Sequence, residues 1–255
     1  MPPVHVTLVD INPRMVAAWR ETFEGNPEVR IVQGSMLEQR VSAWVSPTNA
    51  RGQMDGGLDA VIKSHLGPGV EKRLQGLIAQ RYGGLLPLGH AVCVPTERPV
   101  PRFVVSTPTM VGSSEDVSDT LNVALACAAA FQAVHLQNAV QPGSVESVAL
   151  PGLGANTGKV PVEICADLMW TAYNLFREKE FTDFGELRKA LEGELGSLGT
   201  TAGKAHGAAK PTAGAVAKAP AGDFDDADDE EDEDDEDDED EDGEEKADED
   251  FDDHH

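Results

Sequence analysis

The sequence predicts an α/β domain in which helices cover a largely parallel sheet. Short β-type runs alternate with helical-periodic stretches along most of the chain. The run Val41 to Ser46 is apolar on both faces, the pattern of a strand covered on each side. Two glycine-bearing loops follow such strands, where parallel sheets expose their carboxyl ends to ligands.

The elements follow in order. Val4 to Val9 reads as a strand. Asn12 is a good N-cap and Pro13 suits the first helical position, so a helix starts there. Its apolar face carries Met15, Val16, Trp19 and Phe23, and it stops near Gly25-Asn26-Pro27. Val29 to Gln33 and Val41 to Ser46 are the next strands. Helices are expected from about Gly57 to His65 and from Val70 to Arg81. Strands follow at Gly89 to Pro95 and Phe103 to Ser106, then an alanine-rich helix over Leu121 to Gln137. A last strand, Ser147 to Leu150, leads through PGLGANTGKVP into a helix from Val162 to Lys179.

The 255-residue chain has a formal net charge of -26, unevenly spread. Residues 223–255 hold 25 acidic groups against Lys246, leaving 21 acids and 19 bases elsewhere. Three parts are expected: a near-neutral domain over residues 1–195, a Gly/Ala/Pro/Lys linker over 196–222, and a disordered acidic tail over 223–255. The tail is read as a solubilising arm or as a site for a basic protein partner. A near-neutral body argues against direct nucleic-acid binding. Cys93, Cys127 and Cys165 lie in apolar surroundings without a C-x-x-C pair, as in reduced core thiols. The start lacks a basic segment followed by an apolar one, and no apolar run of about 18 residues is apparent. Cytoplasmic residence without a membrane is the expectation.

Chemistry centres on Ser46 to Asp59 and Pro151 to Pro161. Glycines let backbone N–H groups approach a ligand, and a following helix N-terminus favours an anion. The pair suits a diphosphate. GLGANTGK is not a P-loop: from Gly152 the spacing to Gly158-Lys159 is one residue too long, and Val160 replaces Ser/Thr. G-x-G-x-x-G, G-x-S-x-G and H-E-x-x-H motifs are not found. VTLVDINP is similar to the acidic strand end of a methyltransferase, but the nine residues before Asp10 hold no glycine-rich loop.

SPTNARGQMDGGLDAVI resembles the first ligand loop of the macro domain family, and ALPGLGANTGKVP its second, phosphate-holding loop. VRIVQGSML resembles the strand and turn before the first loop. The resemblance implies a three-layer α/β/α macro-domain-like sandwich around a mixed, largely parallel sheet. It implies binding of ADP-ribose or an ADP-ribosylated substrate, with hydrolysis of an ADP-ribosyl linkage or a non-catalytic reader role as the two alternatives. No cofactor or metal is implied. Asn49 would contact the distal ribose and Asp59 would orient water. Gly56 and Gly57 would lie along the ribose and diphosphate. Gly152, Leu153, Gly154, Ala155, Asn156, Thr157 and Gly158 would hold the phosphates. Ser35 stands where many members carry an Asp that reads the adenine amino group, and Ser46 replaces the first Asn of Asn-Ala-Ala-Asn.

Each residue also has a plainer role. Asp59 falls in a first helical turn, where the dipole favours a carboxylate. Asp55 suits an N-cap, Asn49 a turn, and Asp10 and Asn12 helix caps. Trp19, Trp44 and Trp170 fit a core. His65 suits a helix C-terminus, Tyr173 the flank of a base, and Lys159 a phosphate or plain solvent. Ser113 to Asp116 is a polar segment that reads as a lid or, more plainly, as an ordinary loop.

Overall fold

The computed structural model describes residues 4–179 and 181–205. The acidic tail and the linker beyond Ala205 lie outside the described residues. The described residues form six strands: β1 (His5–Asp10), β2 (Val29–Gln33), β3 (Ala43–Ser46), β4 (Val92–Pro95), β5 (Phe103–Ser106) and β6 (Ser147–Leu150). Their order in the sheet is β2-β1-β6-β3-β5-β4. All pairings are parallel except β4 with β5.

Among the described residues the α-helices are α1 (Pro13–Thr22), α2 (Gly57–Leu66), α3 (Gly69–Tyr82), α4 (Asn122–Val140), α5 (Val162–Glu178) and α6 (Phe184–Ala205), the last packed on α4 and α5. Strand side chains alternate between faces. Ala43 and Val45 pack with α1, α4, α5 and α6, whereas Trp44 between them packs with α2 and α3. The result is the expected α/β/α sandwich, with a core on each side of the sheet.

The α1 start is as expected: the Asn12 side chain accepts the Arg14 N–H at 3.0 Å, and Pro13 opens the helix. Met15, Val16 and Trp19 are buried beneath it. α4 buries alanines on every side, and small side chains let it lie close to both the sheet and α5. By length and mean hydropathy α4 would also pass for a membrane span, although Gln132, His135, Gln137 and Asn138 interrupt its apolar run. Of the 18 residues in its most apolar stretch, 72% are buried in this domain, as in a core helix.

α6 was not foreseen. Its start carries an Asp-x-x-Glu capping signal: Asp183 Oδ1 accepts the Glu186 N–H at 2.9 Å, and Glu186 reaches back to the Thr182 N–H at 3.2 Å. Leu187 and Leu191, one turn apart, are buried. The helix runs to Ala205, into the segment expected to be linker from Gly196. Glycine weakens a helix without stopping it, and the first proline after Gly196 is Pro211.

Ala128, fully buried in α4, leaves no room for added methylenes. Ala128→Leu is expected to destabilise the domain by about 1–3 kcal/mol, read by urea unfolding.

Candidate functional site

Loop 1 leaves β3 at Ser46. Asn49 forms a parallel bridge with Met110, beyond the end of β5. Its Oδ1 accepts two backbone N–H groups, from Arg51 at 3.0 Å and Gln53 at 3.1 Å. The acceptor end is therefore occupied by the turn, and only the amide nitrogen can serve a ligand. That nitrogen now donates weakly, to Gln53 Oε1 at 3.4 Å and Ser113 Oγ at 3.3 Å, contacts that a better acceptor would replace. The turn residue and the ligand residue are the same side chain.

The rest of loop 1 is fastened to α3. Gly52 has φ of +67°, and a Cβ there would stand 2.7 Å from Ile78 Cδ1. The Met54 N–H donates to Glu71 Oε1 at 2.7 Å, and Glu71 also pairs with Lys63 at 3.2 Å. Gly56 and Gly57, by contrast, have open space where a Cβ would be. Gly56 caps α2 without a side-chain hydrogen bond, so Asp55 is not the cap. The first amides of α2 are left to bind an anion.

Asp59 sits in the first turn of α2 and is only 8% exposed. Ser46 Oγ donates a short hydrogen bond to its Oδ1. Burial pushes the carboxyl pKa up from 3.8 to about 7, the Ser46 hydrogen bond pulls it down, and nearby Asp55 raises it further. A residue that merely complemented the helix dipole would sit at the surface and stay charged. Here desolvation dominates, giving a carboxyl group that changes charge near neutral pH.

Loop 2 follows β6. The Gly152 N–H donates to Asp10 Oδ2 at 3.1 Å, while Asp10 Oδ1 accepts the Asn12 N–H at 2.8 Å. Asp10 thus ties loop 2 to the tip of β1. The loop then folds on itself: Val160 N–H donates to Gly154 O at 3.2 Å. A Cβ on Gly158 would come within 2.7 Å of that same carbonyl oxygen, so glycine is required there. Leu153 does not face the site. It is fully buried in the core with α1, α4 and α5, and Ala155 packs against that core as well. Gly152, Gly154, Asn156, Thr157 and Gly158 line the ligand side, whereas Leu153 and Ala155 turn into the core.

Those five residues share one cleft of about 390 Å³ with Gly34, Ser35, Asn49, Gly56, Gly57 and Asp59. The two loops predicted to act together do meet. Ser35 is there, but its Oγ accepts the Leu37 N–H at 3.2 Å, leaving its own hydrogen to donate. Asp10, Ile11, Val61, Thr109, Met110 and Ser113 also line the cleft, outside the residues predicted to hold an ADP-ribose-type ligand. Asp10 and Ile11 were legible from their place at a strand's carboxyl end. Ser113 opens the polar segment read as a lid or loop, and the Asn49–Met110 bridge brings it over the site.

Several candidates lie elsewhere. Tyr173 packs among Phe23, Phe131 and Trp170 and does not line the cleft. His65 lies beside Trp44, with ring centres 5.7 Å apart. Lys159 pairs with Asp116 at 3.6 Å at the surface. Among the described residues, no group of three or more His, Cys, Asp or Glu is placed to hold a metal ion.

Residues 45–169 match the Macro domain family. An uncharacterised protein of Aquifex aeolicus is 28% identical over 152 residues, 60% of this chain and 84% of that protein. A macro domain-containing protein of Streptomyces nogalater is 36% identical over 94 residues, 36% of this chain and 52% of that protein. This chain therefore spans about half the length of that relative. The Oceanobacillus iheyensis macrodomain with ADP is 18% identical, with 66% of this chain and 90% of that one covered and a TM-score of 0.47. The macro domain match takes in loop 1 from Val45 and all of loop 2. Asp10, Ile11 and Ser35 fall before it, so one end of the cleft is built by β1 and β2, outside the matched segment.

The pKa of Asp59 sets a pH dependence of stability. Its carboxyl group holds a proton to about pH 7 when folded and to about 3.8 when unfolded. Its contribution is thus fully present below the lower value and is lost as pH rises through the upper. Asp59→Asn is expected to raise the melting temperature relative to the parent more at pH 8 than at pH 5.

Proposed function

We propose that the cleft binds ADP-ribose or an ADP-ribosyl derivative and that Asp59 makes the protein an ADP-ribosyl hydrolase. The observation that carries the catalytic half is the buried Asp59 carboxyl group on the wall of a cleft formed by two glycine loops. The binding half is supported by the macro domain match over both loops, since macro domains bind ADP-ribose.

In this reading the diphosphate lies between the open α2 amides and the Gly154–Gly158 loop. Asn49 donates its amide hydrogens to a ribose oxygen in place of Gln53 and Ser113. Asp59, as carboxylate, accepts a hydrogen bond from water and aims it at the anomeric carbon of the distal ribose. A C–O bond forms from the water as the C–O bond to a modified acidic side chain breaks. The protein substrate regains its carboxylate, ADP-ribose gains a hydroxyl, and the water's proton passes to Asp59. Only the charged carboxylate can accept it, so release should accelerate as pH rises through about 7, where Asp59 titrates.

Two variants separate binding from chemistry. Asn49→Ala removes one hydrogen-bond donor and is expected to weaken ADP-ribose binding about tenfold by calorimetry. Asp59→Ala should retain ADP-ribose binding yet lose single-turnover release from a glutamate-linked substrate. Release at the parent rate by that variant would leave a binding module only.

A further inference from the structure

Ser46 lies at the last position of β3, fully buried, and is thirteen residues from Asp59 in sequence. Its backbone carbonyl accepts the Thr107 N–H at 3.1 Å, which ties the end of β3 to the chain just after β5. Its side-chain oxygen is therefore held in place by the sheet. Asp59, in turn, sits on α2 across from it. The Ser46–Asp59 bond is thus a direct polar link between the sheet and the first turn of that helix.

Asp59 has two carboxyl oxygens. Oδ1 is taken by Ser46, and Oδ2 has no hydrogen-bond partner among the described residues. Because Asp59 also lines the cleft, the bond to Ser46 decides which oxygen is left for a ligand or a water. We propose that Ser46 is a positioning residue for Asp59, holding one carboxyl oxygen against the sheet so that the other faces the cleft.

A hydroxyl group suits this place for a physical reason. It is both donor and acceptor and can rotate. It donates to Asp59 when the carboxylate is charged, and it can accept from Asp59 when the carboxyl group is protonated. The link therefore survives both states that a proton-accepting residue must pass through. An alanine would leave a nearly buried carboxyl group without its partner, and the side chain would be free to rotate away from the cleft. The charged group acting on the pair is Asp55, just before α2, which opposes ionisation. Ser46 is the counterweight, since a donor to the charged form favours it.

The catalytic part of this inference rests on the hydrolase reading above; the positioning part does not. The test uses the full chain with carbon-13 in its aspartate carboxyl groups. The resonance missing from Asp59→Asn marks Asp59, and its titration is followed in the parent, Ser46→Ala and Ser46→Cys. Ser46→Ala should move the Asp59 midpoint upward by about one pH unit, the worth of one hydrogen bond to a charged group. Ser46→Cys, with a weaker donor, should fall between. ADP-ribose binding by calorimetry should stay within about twofold of the parent, which also shows that the variants fold. Single-turnover release should slow at neutral pH and recover at higher pH by the same shift. An unmoved Asp59 midpoint in folded Ser46→Ala would overturn the positioning role. A shifted midpoint with no release from the parent at any pH would leave that role standing and overturn the hydrolase reading instead.

Discussion

The cleft depends on where β6 lies. It pairs in parallel with β1 on one side and β3 on the other, so the loops leaving all three strands emerge at the same edge of the sheet. Loop 2, from β6, is therefore flanked by the Asp10 turn and by loop 1. The hydrogen bond from Gly152 to Asp10 and the run of loop 1 toward α2 are consequences of that adjacency. A different strand order would scatter the same motifs over the surface.

Rigidity is distributed unevenly around the cleft. Loop 1 is fastened where it turns away from the ligand, through Gly52 against Leu74 and Ile78 and through Met54 to Glu71. It is open where Gly56 and Gly57 face the cavity. Loop 2 is closed upon its own backbone at Gly154 and Gly158. Such a frame presents amide groups without much reorganisation, and preorganised donors are what binding an anion near protein dipoles requires. Two apolar side chains that line the cleft stay in solvent: Ile11 is 76% exposed and Val61 46%. A flat ring lying across them would remove that area from water.

Asp59 shows why a candidate residue has two readings until its surroundings are known. In sequence it is a first-turn carboxylate, and the dipole alone would explain it. In the folded chain it is nearly buried, takes a hydrogen bond from Ser46 and holds its proton to about pH 7. Asn49 resolves differently. Its turn role and its ligand role coexist because the two ends of the amide do separate work.

The sequence by itself determined the layers, nearly every element and the two glycine loops. These are written in local terms: side-chain period, caps, and glycine where the backbone must pass close to something. Val41 to Ser46 already read as a strand covered on both faces, Phe103 to Ser106 as a strand, and Asn12-Pro13 as a helix start. The start of α6 was written too, in Asp183 and Glu186, beside a glycine-rich stretch that read as linker. Only the tertiary structure decided that Leu153 turns into the core, that Ser113 comes over Asn49, and that Ser46 meets Asp59. Each of those depends on partners far apart in sequence or on the direction of a side chain within a loop. Neither leaves a periodic trace, because strand order and loop path are fixed by packing of the whole domain.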